Sequence, residues 1–325
     1  MSKAIRFHET GGPDVLRLEE VAVGDPAAGQ ARVRHTAIGV NFIDTYHRTG
    51  LYKLALPSGL GAEAAGVVEA VGPGVTLVAP GDRVAYAASG TPGAYAEARL
   101  LPADRLVRIP ADVSDETAAA VFLKGLTVWM LVHRVHAVAP GEQVLLHAAA
   151  GGVGVLAVQW LKALGARVLA TVGSDEKAAL VRSLGAEVVV VYTREDFSRR
   201  AREWTGGEGV PVVYDSVGKD TFEGSLDSLR PTGLMVSYGN ASGAVPPFEI
   251  ARLAAKGSLF LTRPTLFTYI ARREALEEGA RALFARVGSG EVKVPPPRTY
   301  PLADAARAHR DLQGRVTTGP LVLVP

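Results

Sequence analysis

The sequence predicts an α/β protein of two domains, one β-rich and one built on a doubly wound parallel sheet. Three observations lead there. The 325 residues suit two ordinary domains, and at 48% hydrophobic content they hold material for two cores. The first hundred or so residues read as short strands separated by Gly- and Pro-rich turns. From about Ser114 to residue 262, continuous apolar strands alternate with helices.

In chain order, KAIRF, DVLRLEEV and QARVRHTAIGV carry alternating or β-branched positions, with GGPD and DPAAG as turns between them. NFIDTYHRTG reads as a short helix opened by Asn41. The strands AAGVVEAV, DRVAYA and EARLLP follow, with a turn at Val71–Gly72–Pro73–Gly74. Ser114 is an N-cap, and Asp115 and Glu116 then sit in a first turn where the helix dipole favours acids. QVLLHA is a strand, GVLAVQWLKAL a helix ended by Gly165, and ARVLATV a second strand. SDEKAALVRSL is a helix opened by Ser174 and closed by Gly185, and EVVVVY, VPVVYDS and GLMVSYG repeat the apolar strand. Arg199, Arg200 and Arg202 recur at helical spacing after Asp196 and read as a solvated helix face. Beyond Pro264 come a long helix, the break at Pro295–Pro297, the helix ADAARAHRDL and a last strand, LVLV. The implied division is 1–124 with 264–325 for the β-rich domain, and 125–263 for the parallel sheet.

Composition narrows the function. A formal net charge of +2, without long runs of one sign, argues against a nucleic-acid partner. The absence of cysteine excludes disulfides, thiolate metal sites and a cysteine nucleophile. The N-terminal run lacks an apolar signal core and no stretch approaches ~18 uninterrupted apolar residues, so a cytoplasmic protein without a membrane span is expected.

The run HAAAGGVG, His147 to Gly154, follows one apolar strand and opens the next helix, the context a dinucleotide fingerprint requires. Free N–H groups and the positive dipole end of that helix suit a pyrophosphate. Gly151 and Gly152 permit close approach of the backbone, and Gly154 permits close helix–strand packing. Ala149 stands where the fingerprint begins with glycine, so the turn must be a variant with negative φ at that residue.

An acidic residue about 20 positions on would grip the ribose 2′-hydroxyl of NAD. Here the second strand ends at Gly173 and Ser174 with no carboxylate at its tip, which favours NADPH. Lys177, one turn into the next helix, is placed to meet the 2′-phosphate, and Tyr192 ends the next strand. The other reading keeps Lys177 as a solvated lysine and gives the ribose to Asp175 or Glu176.

AIGVNFIDTYHRTGLY, LPSGLGAEAAGVVEAVG, FLKGLTVW, HAAAGGVG, VVYDSVG and GLMVSYGNASGAV together resemble the zinc-independent quinone oxidoreductases of the medium-chain dehydrogenase/reductase superfamily, a group that includes the ζ-crystallins. The resemblance covers essentially the whole chain. It implies a GroES-like (chaperonin-10-like) catalytic domain built from both chain ends around a central Rossmann domain, NADPH as hydride donor, and a homodimer joined through Rossmann sheet edges. Zinc relatives carry a cysteine at the position of Asn41 and a histidine at that of Ala62, so no metal site is expected. His133 and His136, three apart on an apolar helix, are given packing or surface roles.

Without a Lewis acid, the substrate should accept hydride readily, as quinones and activated enones do. By the resemblance, Asn41, Tyr46 and Tyr52 are the catalytic candidates, Asn41 holding carboxamide or ribose and the tyrosines lining the quinone site. Tyrosines that merely pack with wet hydroxyls are the alternative. Lys124 and Thr127 are expected near the nicotinamide, with Ser216, the Tyr238–Gly239–Asn240 loop and Arg263 completing its pocket. Ala150 and Val153 join the glycines of the phosphate loop, and Arg315 closes over the cofactor. The leading expectation is an NADPH:quinone oxidoreductase, and the runner-up an NADPH-dependent reductase of α,β-unsaturated ketones or aldehydes. A third is a non-catalytic NADPH-binding protein, structural or RNA-binding.

Overall fold

Burial of every residue but Lys3 and Arg6 makes β1 (Ser2–Phe7) a largely buried strand, paired antiparallel with β2 (Arg17–Val21). These are seen in a computed structural model that describes residues 1–87, 92–314 and 317–325. The long strand β3 (Gln30–Val40) leads through Asn41 into helix α1 (Phe42–Thr49). There follow β4 (Ser58–Gly59), β5 (Glu63–Val71), β6 (Arg83–Ala87), β7 (Ala98–Pro102) and β8 (Val107–Arg108). Helix α2 (Asp115–Trp129) then opens with Ser114 Oγ accepting the Thr117 N–H at 3.1 Å.

Strict alternation of strand and helix follows: β9 (Gln143–Leu146), α3 (Gly152–Ala163), β10 (Arg167–Val172), α4 (Asp175–Leu184), β11 (Val188–Val191), α5 (Phe197–Trp204), β12 (Val210–Asp215), α6 (Phe222–Ser228) and β13 (Leu229–Ser237). Next come α7 (Ala251–Ala255), β14 (Phe260–Thr262), α8 (Leu266–Tyr269), α9 (Arg273–Gly288), β15 (Arg298–Pro301), α10 (Ala305–Gln313) and β16 (Leu321–Val324). Ser174 caps α4 and Gly185 ends it at φ 112, as their residue types predict.

Two units emerge: Met1–Leu126 with Ile270–Ser289 and Val294–Pro325, and Thr127–Tyr269 with Gly290–Lys293. The first holds a three-stranded sheet, β2-β1-β4, and a larger one ordered β15-β16-β3-β5-β6-β8, with β7 paired to β3 off that path. Register shifts between Arg32 and Val33 and between His35 and Ala37 bend β3 as bulges do. Val33, Ile38, Val40, Leu60, Tyr86 and Leu101 belong to its core.

The second unit is a six-stranded sheet, β11-β10-β9-β12-β13-β14, parallel throughout. Numbered from its own first strand the order is 3-2-1-4-5-6, the doubly wound arrangement. Leu145, Leu169, Val190, Val213 and Met235 form its core, which explains why these strands read as unbroken apolar runs.

One feature differs from the sequence reading. Arg202 is no solvated residue: its guanidinium donates to the carbonyls of Gly207, Glu208, Asp227 and Leu229 at 2.8–3.2 Å, closing the loops beyond α5 and α6. Arg199 and Arg200 do lie on an exposed face, each paired with Glu203. The span Asp115–Val135 is long and apolar enough to cross a membrane by length and composition, but most of its apolar window is buried, as in a core helix.

Candidate active site

In a doubly wound sheet, ligands bind beyond the carboxyl ends of the strands, where the order reverses. Here that point is the β9/β12 pair. The phosphate-loop run leaves the end of β9, and Ser216 leaves the end of β12. Gly173 and Ser174 follow β10, Tyr192 follows β11, Tyr238–Asn240 follow β13, and Arg263 follows β14. Ser216 lies against Gly239, since a Cβ on that glycine would stand 2.4 Å from the Ser216 carbonyl oxygen.

The turn after β9 is held by backbone bonds from His147 N to Tyr214 O (3.0 Å), Ala149 N to Thr171 O (3.1 Å) and Gly151 N to Ala148 O (2.9 Å). Its left-handed residue is Ala148, at φ 51, while Ala149 avoids positive φ. This conformation costs about 1–2 kcal/mol for a residue with a Cβ. Gly154 is required by space: a Cβ there would come within 2.4 Å of the Ala148 carbonyl oxygen and 2.6 Å of the Ala149 backbone. At the N-cap of α3, Gly151 is extended and has no side chain to accept from the helix. The first-turn N–H groups of Gly152, Val153 and Gly154 therefore lack an intrahelical acceptor and suit an anion. By contrast, α4 and α5 are capped by Ser174 and Asp196. This glycine-lined, uncapped start of α3 at the strand ends fits a dinucleotide pyrophosphate.

Below the turn, the buried His147 bonds Thr171 Oγ1 (2.8 Å) and Ser225 Oγ (3.0 Å), and Ser225 donates to Asp215 Oδ2 (2.9 Å). Asp215 also accepts from Thr221 Oγ1 and from the N–H groups of Val217 and Gly218. Burial lowers the His147 pKa, against the pull of Asp215. A neutral imidazole thus ties β9, β10 and α6 together under the loop.

At the tip of β10, Ser174 Oγ accepts the Lys177 N–H. A Cβ on Gly173 would stand 3.0 Å from the Tyr192 hydroxyl. Both carboxylate oxygens of Asp175 accept from the Arg194 guanidinium. Arg263 donates to the carbonyls of Ser237 (2.9 Å) and Gly239 (3.0 Å), pinning the loop after β13. With its amide turned to suit both neighbours, Asn240 accepts from Arg263 at 3.0 Å. Thr127, in α2, is buried.

In the first unit, Asn41 is the N-cap of α1, and its backbone N–H donates to Asp44 at 2.8 Å. Its side-chain amide donates to Glu63 Oε1 at 2.8 Å, and Lys124 Nζ donates to the same oxygen at 2.8 Å. The Leu123 N–H meets the other oxygen at 2.6 Å. Glu63 is fully buried and Lys124 5% exposed, so this is an ion pair out of water whose carboxylate accepts from three donors. The Tyr46 and Tyr52 rings meet edge-on at 5.3 Å, both partly exposed.

Beneath α1, the buried Tyr95 hydroxyl donates to Asp44 Oδ2 (2.9 Å) and lies 3.0 Å from His309 Nε2, while Arg48 contacts His309 Nδ1 at 3.0 Å. Burial drives the Asp44 pKa up to about 7 and the His309 pKa down to about 3.

Thus Asn41 and Lys124 meet at one carboxylate, Tyr46 meets Tyr52 edge-on, and the second-unit candidates other than Thr127 share one end of a sheet. Arg315 lies outside the described residues. Sequence reasoning missed Glu63, Asp44 and the His147–Asp215 pair. The one signal for Glu63 was a lone charge within the small and apolar run LGAEAAGVV. His133 accepts from the Trp160 indole N–H at 3.2 Å and His136 pairs with Glu142 at 2.8 Å. Among the described residues, no three His, Asp or Glu side chains group so as to hold a metal ion.

Comparison with known proteins gives this geometry a lineage. A family model described as an alcohol dehydrogenase GroES-like domain matches residues 27–111, and one described as a zinc-binding dehydrogenase matches residues 152–285. Quinone oxidoreductase 1 of Escherichia coli (strain K12) is 51% identical over 328 residues, covering 100% of each chain. A 2-haloacrylate reductase of a Burkholderia species is 47% identical, over 100% of this chain and 99% of its own. The solved structure of the Escherichia coli quinone oxidoreductase complexed with NADPH matches with a TM-score of 0.97, covering 99% of this chain and 100% of that one. The chain belongs to the quinone oxidoreductase family of the medium-chain dehydrogenases and reductases.

Proposed function

We propose that the protein is an NADPH:quinone oxidoreductase that works without zinc. The observation that carries this reading is the uncapped start of α3 at the sheet's reversal point, in a chain 51% identical throughout to a bacterial quinone oxidoreductase. Bound NADPH supplies a hydride. The N–H groups of Gly152, Val153 and Gly154 hold the pyrophosphate, with Ala150 and Gly151 shaping the turn. Gly173, Ser174, Lys177 and Tyr192 take the adenosine end. Ser216, Tyr238, Gly239 and Asn240, fixed by Arg263, take the nicotinamide end with Thr127.

Asn41 and Lys124 are pre-set by Glu63, so neither must reorganise when a ligand arrives. The amide nitrogen of Asn41 is already committed to Glu63, and Lys124 brings a positive charge to the same carboxylate. A zinc-free mechanism then relies on hydrogen-bond donors in place of a Lewis acid, while Glu63 holds Asn41 and Lys124 in position. Tyr46 and Tyr52 offer aromatic surface to a quinone and hydroxyls to its developing oxyanion. A cytoplasmic setting goes with this reading, since NADPH is regenerated there, and so does a homodimer formed through the sheet edge at β14.

The 47% identity to a 2-haloacrylate reductase favours a second reading, hydride delivery to an activated alkene. Mixing the protein with NADPH and 9,10-phenanthrenequinone, and following absorbance at 340 nm, separates the two. Rapid oxidation with the quinone and little with NADH is the expected result. Inert quinones beside a reduced haloacrylate or enone would transfer the assignment to the second reading.

A further inference from the structure

The tip of β10 holds a charge arrangement that the phosphate loop does not account for. In a sheet of this order the pyrophosphate lies at the start of α3, and the adenosine ribose extends toward the next strand's end, here Gly173 and Ser174. The nearest carboxylates are Asp175 and Glu176, in the first turn of α4. An unpaired carboxylate there would accept from a ribose 2′-hydroxyl and repel a 2′-phosphate.

Asp175 is not unpaired. Arg194, in the turn after β11, closes on it with both terminal nitrogens, one of them at 2.6 Å from Oδ2. That turn is held by the Arg194 N–H on the Val191 carbonyl (3.0 Å), and its Tyr192 lies over Gly173. The Asp175 carboxyl is held below its ordinary range by Arg194, and Arg182 adds to the effect. Lys177 lies two residues further along α4. Of the charges here, Glu176 and Glu195 are acidic and Arg182, Lys177 and Arg194 basic.

Both members of the pair are well exposed, at 57% and 69% of their side-chain surface. A pair so placed contributes little to stability, so the guanidinium can be transferred to a better anion without loss to the fold. A phosphate monoester is that anion: it carries more charge than a carboxylate and accepts the planar fork bidentately.

We infer that Arg194 is a specificity residue for the adenosine 2′-phosphate, held ready by Asp175, and that the pair disfavours NADH by occupying the acceptor a 2′-hydroxyl would need. The inference rests on the NADPH reading above. It extends that reading from Lys177 and Tyr192 to a residue outside the fingerprint.

Calorimetric titration of wild type, Arg194→Gln and Asp175→Asn with NADPH, NADH and adenosine 2′,5′-bisphosphate tests it without any turnover. Arg194→Gln should weaken NADPH and the bisphosphate about 10- to 100-fold, and NADH should bind as tightly as before or more tightly, because Asp175 is then free to accept from the ribose 2′-hydroxyl. Asp175→Asn should leave NADPH as tight or tighter. Equal losses for NADPH and NADH in Arg194→Gln, or no loss for either, would overturn the assignment. So would an Asp175→Asn protein that loses NADPH as severely as Arg194→Gln. If wild type already binds NADH as tightly as NADPH, the cofactor reading itself fails, and that is visible before any variant is made.

Discussion

Burial leaves Asp44 with two hydrogen bonds on one carboxyl oxygen and no partner on the other. Arg48, one turn further along α1, is engaged by His309, Gln313 and Gly11, and Lys124 by Glu63. Among the described residues no cation is hydrogen-bonded to the carboxyl, and its pKa rises to about 7 through desolvation. Folding thus favours the protonated acid. Between the ordinary value of 3.8 and about 7 the native state keeps a proton that the unfolded chain has lost, so stability from this group falls as pH rises through that window. His35 and His309, lowered by burial to about 4 and about 3, act oppositely: their contribution is complete above 6.5 and is lost as pH falls toward those values. Asp44→Asn keeps an oxygen for Tyr95 and the Asn41 N–H but cannot ionise. Urea unfolding at intervals from pH 4 to 8 should show wild type losing about 4 kcal/mol relative to Asp44→Asn over that range. Parallel curves would mean that Asp44 does not titrate in the folded protein. None of this network was legible in the sequence, because Asp44, Tyr95 and His309 meet across separations of 51 and 214 residues.

Elements with their own start and stop signals were legible. Ser174 and Gly185 bound α4, Ser114 opens α2, and the apolar runs of β9 to β13 announced a buried parallel sheet. Strands β14 and β15 were missed, since three or four residues, one of them proline in β15, give no period to read. The turn from β9 into α3 shows both sides. Its glycines were readable, but the positive φ falls on Ala148, one residue before the expected variant position, because Ala149 is fixed by its bond to Thr171. Gly154 offers the test at this scale. In Gly154→Ala the new methyl meets backbone, which yields less than a side chain does, so the turn must open. Fluorescence titration should show NADPH and NADH both weakened, by about tenfold or more. Equal loss for both cofactors distinguishes a shared pyrophosphate site from the selective loss expected at Arg194. Unchanged affinity would remove this turn as the phosphate site.

For the molecule as a whole, the open edge of the six-stranded sheet matters most. Among the described residues, its last strand, β14, pairs with β13 alone. An uncovered edge strand is a template for another strand, and proteins that remain monomeric blunt it with charge or proline. Here the edge carries Phe260, 62% exposed, and just ahead of α7 stands Ile250, 79% exposed. Burying an aromatic side chain of this kind is what the centre of a protein interface does. A second copy of the chain, adding its own β14 edge by two-fold symmetry, would supply the missing pairs and cover both rings. Phe260→Asp then places a charge where each protomer needs an apolar contact, twice per dimer. Truncating a central aromatic costs about 2 kcal/mol or more, so the dimer dissociation constant should rise by at least about 30-fold. Light scattering on a dilution series should find wild type at twice the chain mass and Phe260→Asp moving to monomer, with NADPH binding by the strand-end residues retained. A wild type already monomeric throughout the series would remove the dimer, and the exposed ring would then need another partner.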